Sequence, residues 1–362
     1  MARPPQLTAA PGGFGGDSRG LSFATFTPDG RYVMRSQNDF WGGLNQRAFW
    51  IDDANKALIE ATVVGLGNQV SAYVPAFSHD GKYYAFTNGA GEPKASGTPG
   101  RSLSVMNVSI DPNLGTGGTL TFDNRKIVLD NGPAGSVVKF ATFMPDANQL
   151  AFQEGEAYHG GFGEMLPTWG GSGNYATSTG RLAMVHVDDK SYTRLDRLNK
   201  GQVEIDKNRN YEPFALPVTA GGYFWVVFTS IREYGNIYAG GAVRKQLWVA
   251  AISPNTAKGE DPSHPAFFLP NQGETSNERG FWALEPCRAD GASCASGDEC
   301  CGGFCRPADP EKPELGKVCL PPNDMMCAEL HERCSKATDC CDVEQGAECL
   351  GGYCDIPAPV IQ

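Results

Sequence analysis

Apolar and polar residues alternate along much of the first 255 positions, and the alternation breaks at recurring places. Leu21-Ser-Phe-Ala-Thr-Phe, Tyr73-Val-Pro-Ala-Phe and Val138-Lys-Phe-Ala-Thr-Phe carry the period-2 signature of half-buried strands. Each runs into a similar stretch: Phe26-Thr-Pro-Asp-Gly-Arg-Tyr-Val-Met, Phe77-Ser-His-Asp-Gly-Lys-Tyr-Tyr-Ala-Phe and Phe143-Met-Pro-Asp-Ala-Asn-Gln-Leu-Ala-Phe. Pro presets φ, Asp bonds its own downstream backbone, and Gly accepts positive φ, so each stretch predicts strand, tight turn, strand. A degenerate fourth copy starts at Tyr211-Glu-Pro-Phe-Ala-Leu-Pro-Val and continues through Tyr223-Phe-Trp-Val-Val-Phe.

A further alternating strand follows each hairpin: Ala48-Phe-Trp-Ile, Leu103-Ser-Val-Met-Asn-Val, Leu182-Ala-Met-Val-His-Val and Leu247-Trp-Val-Ala-Ala-Ile. The unit recurs at intervals of about 51, 66 and 71 residues. Such spacing fits four-stranded propeller blades with long inserted loops. Helical periodicity is sparse. The expected fold class is therefore all-β, a β-propeller of about four visible blades followed by two small disulfide-rich modules.

The pattern changes completely at Cys287. Twelve cysteines occupy the last 76 residues and none occur before them. They form two sets, Cys287, Cys294, Cys300, Cys301, Cys305, Cys319 and Cys327, Cys334, Cys340, Cys341, Cys349, Cys354, both opening C-x6-C-x5-C-C. So little apolar residue between cysteines cannot make a hydrophobic core, and such a segment needs covalent staples or a metal. Zinc sites favour paired C-x2-4-C knuckles, often with histidine; beside the C-C pairs the first set offers only Cys301-x3-Cys305, and the tail's one histidine is His331, so disulfides are the favoured reading and imply an oxidising compartment. Spacing alone leaves 15 pairings open per module.

We expect a flexible segment 1–19, a propeller domain 20–286, module 1 at 287–319, a linker 320–326, module 2 at 327–354 and a tail 355–362. Net charge is −11, of which the 14 acidic and six basic residues from Cys287 onward contribute −8. An acidic chain without a basic block disfavours nucleic acid as partner, and no apolar run reaches the roughly 18 residues of a membrane span. Met1-Ala-Arg-Pro-Pro-Gln lacks the apolar core of a secretory signal. Set beside a disulfide tail and only four blades, this leads us to expect an N-terminally truncated fragment with an incomplete ring. A closed four-bladed ring is the alternative.

The run Phe77-Ser-His-Asp-Gly-Lys-Tyr-Tyr-Ala-Phe-Thr-Asn resembles the repeat of TolB-like and related WD-type β-propellers, with His79 in place of the repeat's proline and Ala147 in place of its glycine in the third copy. The likeness spans about residues 20–255. The cysteine order C-C-CC-C-C resembles the inhibitor cystine knot, or knottin, family. That resemblance implies the pairs Cys287–Cys301, Cys294–Cys305 and Cys300–Cys319, then Cys327–Cys341, Cys334–Cys349 and Cys340–Cys354. The Cys-Leu-Gly-Gly-Tyr-Cys ending of the second set also looks like the cysteine-rich segment named after Dickkopf proteins.

Chemistry-bearing motifs are few. His79, His159, His186 and His264 have no partners at metal-ligand spacing, and His331-Glu332 lacks the second histidine of H-E-x-x-H. Gly170-Gly-Ser-Gly has the wrong spacing for a nucleophile elbow. No catalytic residue, cofactor or metal is expected. Two aromatic loops remain as a candidate ligand face: Phe40 and Trp41, and Tyr158, Phe162, Trp169 and Tyr175 in a glycine-rich stretch. The reading is an exported, non-enzymatic binding or scaffold protein of the bacterial cell envelope or extracellular space, with an unknown protein, peptide or glycan ligand. The rivals are the propeller part of a hydrolase whose catalytic domain lies elsewhere, and a knottin-type inhibitor carried on a propeller.

Overall fold

Four consecutive antiparallel four-stranded units hold the strands of the first 268 residues in a computed structural model of the chain. It describes residues 24–36, 46–52, 54–66, 70, 72–89, 99–112, 117–130, 132–133, 136–156, 179–235, 245–272, 277, 279–283, 287–321 and 327–358. The first unit is β1 (Thr25–Phe26), β2 (Tyr32–Ser36), β3 (Gln46–Asp52) and β4 (Ala57–Val64). The second is β5 (Ala72–Phe77), β6 (Tyr83–Gly89), β7 (Pro99–Asp111) and β8 (Thr119–Leu129). The third is β9 (Ser136–Phe143), β10 (Gln149–Glu156), β11 (Arg181–His186) and β12 (Tyr192–Arg194). The fourth is β13 (Asn210–Ala215), β14 (Phe224–Ser230), β15 (Gln246–Ile252) and β16 (Phe267–Phe268). Each is a meander in chain order, the unit from which propeller blades are made. β4 pairs in parallel with β8, which joins the first two units into one eight-stranded sheet.

The predicted turns use the chemistry read from the sequence. In the first, Thr27 Oγ1 donates to Asp29 Oδ1 at 2.6 Å, which also accepts the Arg31 N–H, while Gly30 takes φ 69°. Ser78, Asp80, Lys82 and Gly81 repeat this network in the second, with φ 74° at Gly81. The third turn puts Ala147 at φ 55°, a region that costs an L-residue roughly 1–2 kcal/mol. Ala147→Gly should therefore raise stability by about 1 kcal/mol net of glycine's entropy, read as a higher urea midpoint; an unchanged or lower midpoint would contradict the assignment.

A second backbone feature recurs. Val74, Phe140 and Glu212 stand three residues before the ends of β5, β9 and β13, and all are left-handed, with φ 44°, 55° and 52°. Register shifts at Tyr73/Ala76 and Ala151/Gln153 mark the accompanying bulges in the second and third units. Beside each, a side chain from the preceding unit reaches first-strand backbone. Gln46 Nε2 donates to Ala72 O, Thr87 Oγ1 donates to Val138 O, and Gln153 Oε1 accepts the Glu212 N–H. These bonds brace first-strand backbone beside the bulges.

Apolar clusters span neighbouring four-stranded units. Tyr32, Met34, Phe77, Tyr84, Phe86 and Phe122 form one, with Tyr84 edge-on to Phe77 and Phe122 at 4.9 Å each. Leu103, Val138, Phe143, Leu150, Phe152 and Val185 belong to the next. The Tyr84 hydroxyl is fully buried without a hydrogen-bond partner, and burial pushes its pKa far above the ordinary tyrosine value. An unsatisfied buried donor costs about 1–3 kcal/mol, so Tyr84→Phe should stabilise the chain by about 1 kcal/mol in a urea titration.

By contact the chain separates into two compact units: Met1–Phe143, Ala147–Arg194 and Lys207–Pro213, and Met144–Asp146, Leu195–Asp206 and Phe214–Gln362. The second contains most of the fourth sheet and the cysteine tail. In the tail, β17 (Ser293–Cys294), β18 (Phe304–Pro307) and β19 (Lys317–Leu320) form a sheet of order β17-β19-β18, and β20 (Glu348–Leu350) pairs with β21 (Tyr353–Asp355). The modules are built alike: Arg288 bridges to Cys300 as Ala328 bridges to Cys340. The single described α-helix is one turn, and no described helix is long and apolar enough to cross a membrane.

Candidate functional site

The ligand-face candidates Phe40, Trp41, Tyr158, Phe162, Trp169 and Tyr175 lie outside the described residues, as does His159. In sequence they fall between β2 and β3 and between β10 and β11, each the second-to-third connection of its unit. Because β4 runs parallel to β8 and each meander alternates, β2 and β6 are parallel. The second strands of the first two units therefore end on the same side of the shared sheet.

The strands at the base of the β10–β11 connection hold a buried carboxylate. Glu154 is 2% exposed; its Oε2 accepts the Tyr192 hydroxyl at 2.6 Å and its Oε1 accepts Arg194 Nε at 2.5 Å. Burial, then the bond to Glu154, raises the Tyr192 pKa well above the usual range. The bond to Glu154 is the main cause that raises Arg194. A carboxylate with both oxygens engaged and a cation beside it is an anchor, not a proton acceptor for substrate. Position 180 needs glycine here, since a Cβ would stand 2.4 Å from the Tyr211 ring.

Two histidines acquire partners that spacing did not reveal. His79 Nε2 lies 2.8 Å from Phe143 O, and burial depresses its pKa against that bond and the Asp80 charge. His264 Nε2 lies 2.9 Å from Ser253 Oγ, the distance of a nucleophile and its base. Burial, then the Arg197 charge, lowers the His264 pKa. Ser253, however, is 1% exposed, so its oxygen is shielded from solvent. Asp261 spends its carboxylate on Ser263 and the Arg197 N–H, where a triad would aim it at the imidazole. The pair closes the β15–β16 connection across its own two ends, and the His264 backbone N–H ties it to Ala251 O on β15.

The tail carries the densest chemistry. Its bridges are Cys287–Cys301, Cys294–Cys305 and Cys300–Cys319, then Cys327–Cys341, Cys334–Cys349 and Cys340–Cys354, closing separations of 11–19 residues. Every cysteine is bridged. The sulfurs of Cys294, Cys300 and Cys319 lie within 4.8 Å of one another, as do those of Cys334, Cys340 and Cys354. All six sit in disulfides, and it is the thiolate that ligates metal. The first-to-fourth bridge of each module is exposed, whereas Cys300, Cys319, Cys340 and Cys354 are at most 3% exposed.

An ion cluster that sequence reasoning missed joins the modules. Arg306, on β18, pairs with Glu329 and, at 2.5 Å, with Glu332, and donates to Cys327 O. Glu332 is 2% exposed; its Oε1 accepts the Cys305 N–H and its Oε2 the Glu329 N–H. The Arg333 N–H donates to Gly303 O. The one available signal was an arginine between cysteines in an acidic tail, which Arg288 and Arg333 share.

Comparison with known proteins adds likeness without assignment. No family model matches the chain, and no curated protein does. Among solved structures, a TolB protein from Agrobacterium tumefaciens is 17% identical over 68% of this chain and 65% of its own, with TM-score 0.33. TolB from Acinetobacter baumannii is 12% identical over 64% and 41%, with TM-score 0.34. An oligogalacturonate lyase from Vibrio parahaemolyticus is 11% identical over 67% and 53%, with TM-score 0.35. The chain thus spans less than two thirds of the length of each.

Proposed function

We propose that this chain is an exported, non-enzymatic binding or scaffold protein of the cell envelope or extracellular space. The observation that carries the reading is the tail. Six bridges, with the innermost of each module buried, suit a chain that folds and stays in an oxidising compartment. The propeller units are the platform, and the aromatic connections Phe40–Trp41 and Tyr158–Tyr175 are its ligand face for a peptide or glycan. The modules are knottin-like, the second with a Dickkopf-like ending, and serve as protease-resistant spacers.

An inhibitor role fits less well. The longest hairpin of module 1, between β18 and β19, exposes Leu315 at 64%, but Pro313–Leu315 is a helical turn, whereas protease clefts take extended segments. A hydrolase needs an accessible nucleophile, which Ser253 is not.

Alkylation of the denatured, unreduced protein should find about zero free thiols, and all twelve after reduction; several thiols before reduction would sink the compartment reading. Ester, peptide or glycoside turnover that vanishes in Ser253→Ala would sink the non-enzymatic reading. Co-sedimentation with cell-wall glycan, or peptide binding, should be lost in Trp41→Ala combined with Trp169→Ala.

A further inference from the structure

The second cysteine-rich module meets the fourth sheet through one short segment. Leu350 O accepts the Thr219 hydroxyl at 3.1 Å, and Asp355 Oδ2 accepts the buried Gly222 N–H at 3.1 Å. The Ala358 N–H donates to Gly222 O at 3.2 Å, and Glu348 Oε2 accepts Asn255 Nδ2 at 2.6 Å. Thr219 and Gly222 belong to the β13–β14 turn, and Asn255 to the β15–β16 connection. Backbone approach is close at two points. A Cβ on Gly351 would stand 2.5 Å from Pro145 and 3.1 Å from Thr219, and one on Gly222 would stand 2.5 Å from Ile356 O.

Every one of these contacts comes from residues 348–358, the β20–β21 hairpin and the residues just after it. That hairpin has little hydrophobic support of its own beyond Leu350 and the small cluster around Cys354. It is held in shape by Cys349 and Cys354, the ends of the Cys334–Cys349 and Cys340–Cys354 bridges, which flank its turn as cross-strand partners. The exposed Cys327–Cys341 bridge has neither end on the hairpin.

From this we infer that the second module is a clasp on the fourth sheet: its two inner disulfides hold the hairpin that fastens the β13–β14 turn and the β15–β16 connection, and opening both releases them. The inference is independent of any ligand. Opening is thiol–disulfide exchange with a dithiol. For each bridge the dithiol loses two electrons and two protons, leaves as its own cyclic disulfide, and two cysteine thiols form. Since the exposed bridge is attacked first and does not support the hairpin, mild reduction leaves the clasp shut and only strong reduction opens it.

Hydrogen exchange on the full chain tests this at the Gly222 and Tyr223 amides. In the oxidised protein they should exchange at least tenfold more slowly than after dithiothreitol has opened both inner bridges, the opening being mapped by alkylation. Gly351→Val, with all six bridges intact by mass, should show the same tenfold loss without any free thiol. Leu315→Ala, on the other module, should change nothing. Unchanged exchange at the turn after both bridges open would overturn the clasp, and so would unchanged exchange in bridged Gly351→Val. Loss of protection throughout β14 and β15 would also overturn it, because a clasp frees only the turns. If Gly351→Val fails to oxidise, the reduction of the native chain decides alone.

Discussion

Arg306→Met will destabilise the paired cysteine-rich modules by about 3–5 kcal/mol, the cost of leaving one member of a buried ion pair without its partner. Glu332 is 2% exposed and Arg306 11%, so water cannot replace the guanidinium once it is gone. Methionine keeps the volume of the arginine stem, which separates lost charge from lost packing. Combining Arg306→Met with Glu332→Leu should recover part of the loss, since no charge is then stranded. Recovery stays incomplete because Glu332 also accepts the Cys305 and Glu329 N–H groups. Urea unfolding followed by exchange at the Cys305 and Arg333 amides measures both effects; a loss below about 1 kcal/mol in the single variant would mean the pair behaves as a surface salt bridge.

The second large effect compares two bridges of module 2. Cys327–Cys341 and Cys340–Cys354 both close a separation of 14 residues. Chain entropy assigns each about 3 kcal/mol. They differ in burial: the first is exposed, while Cys340 and Cys354 are 3% and 0% exposed against Ala328 and Ala347. Converting the outer pair to alanine should therefore cost about 3 kcal/mol, and the inner pair about 4–5, the excess being the small cavity left in the only core the module has. Equal losses would show that loop closure alone stabilises the module.

The contrast between strands that could be read and strands that could not has a physical origin. β6, β10 and β14 are buried almost end to end, so their apolar content was plain. The fourth strand of every unit escaped detection. β8 runs through Asp123-Asn-Arg-Lys, with Asn124 at φ 50°, because its middle faces solvent and needs no apolar pattern. β12 and β16 have three and two residues, too short for any period, as befits sheet edges that must not recruit another chain. The tight turns were legible because Asp29 and Asp80 act on backbone two residues away. Glu154 with Arg194 and Arg306 with Glu332 were not, since the partners are 40 and 26 residues apart and only the folded chain brings them together. The disulfide pairs rested on resemblance; spacing left all 15 arrangements open in each module.

The left-handed residue near the end of β5, β9 and β13 is set by its place in the unit. Val, Phe and Glu share no preference for that conformation, and a valine there is strained by its branched side chain. Three unrelated residues in one unfavourable geometry, each at the same distance from the strand end, show that position in the unit, and not the side chain, sets the backbone there. The surrounding ladder and the bonds from the preceding unit over-determine that turn of the chain, so it holds whichever residue occupies it.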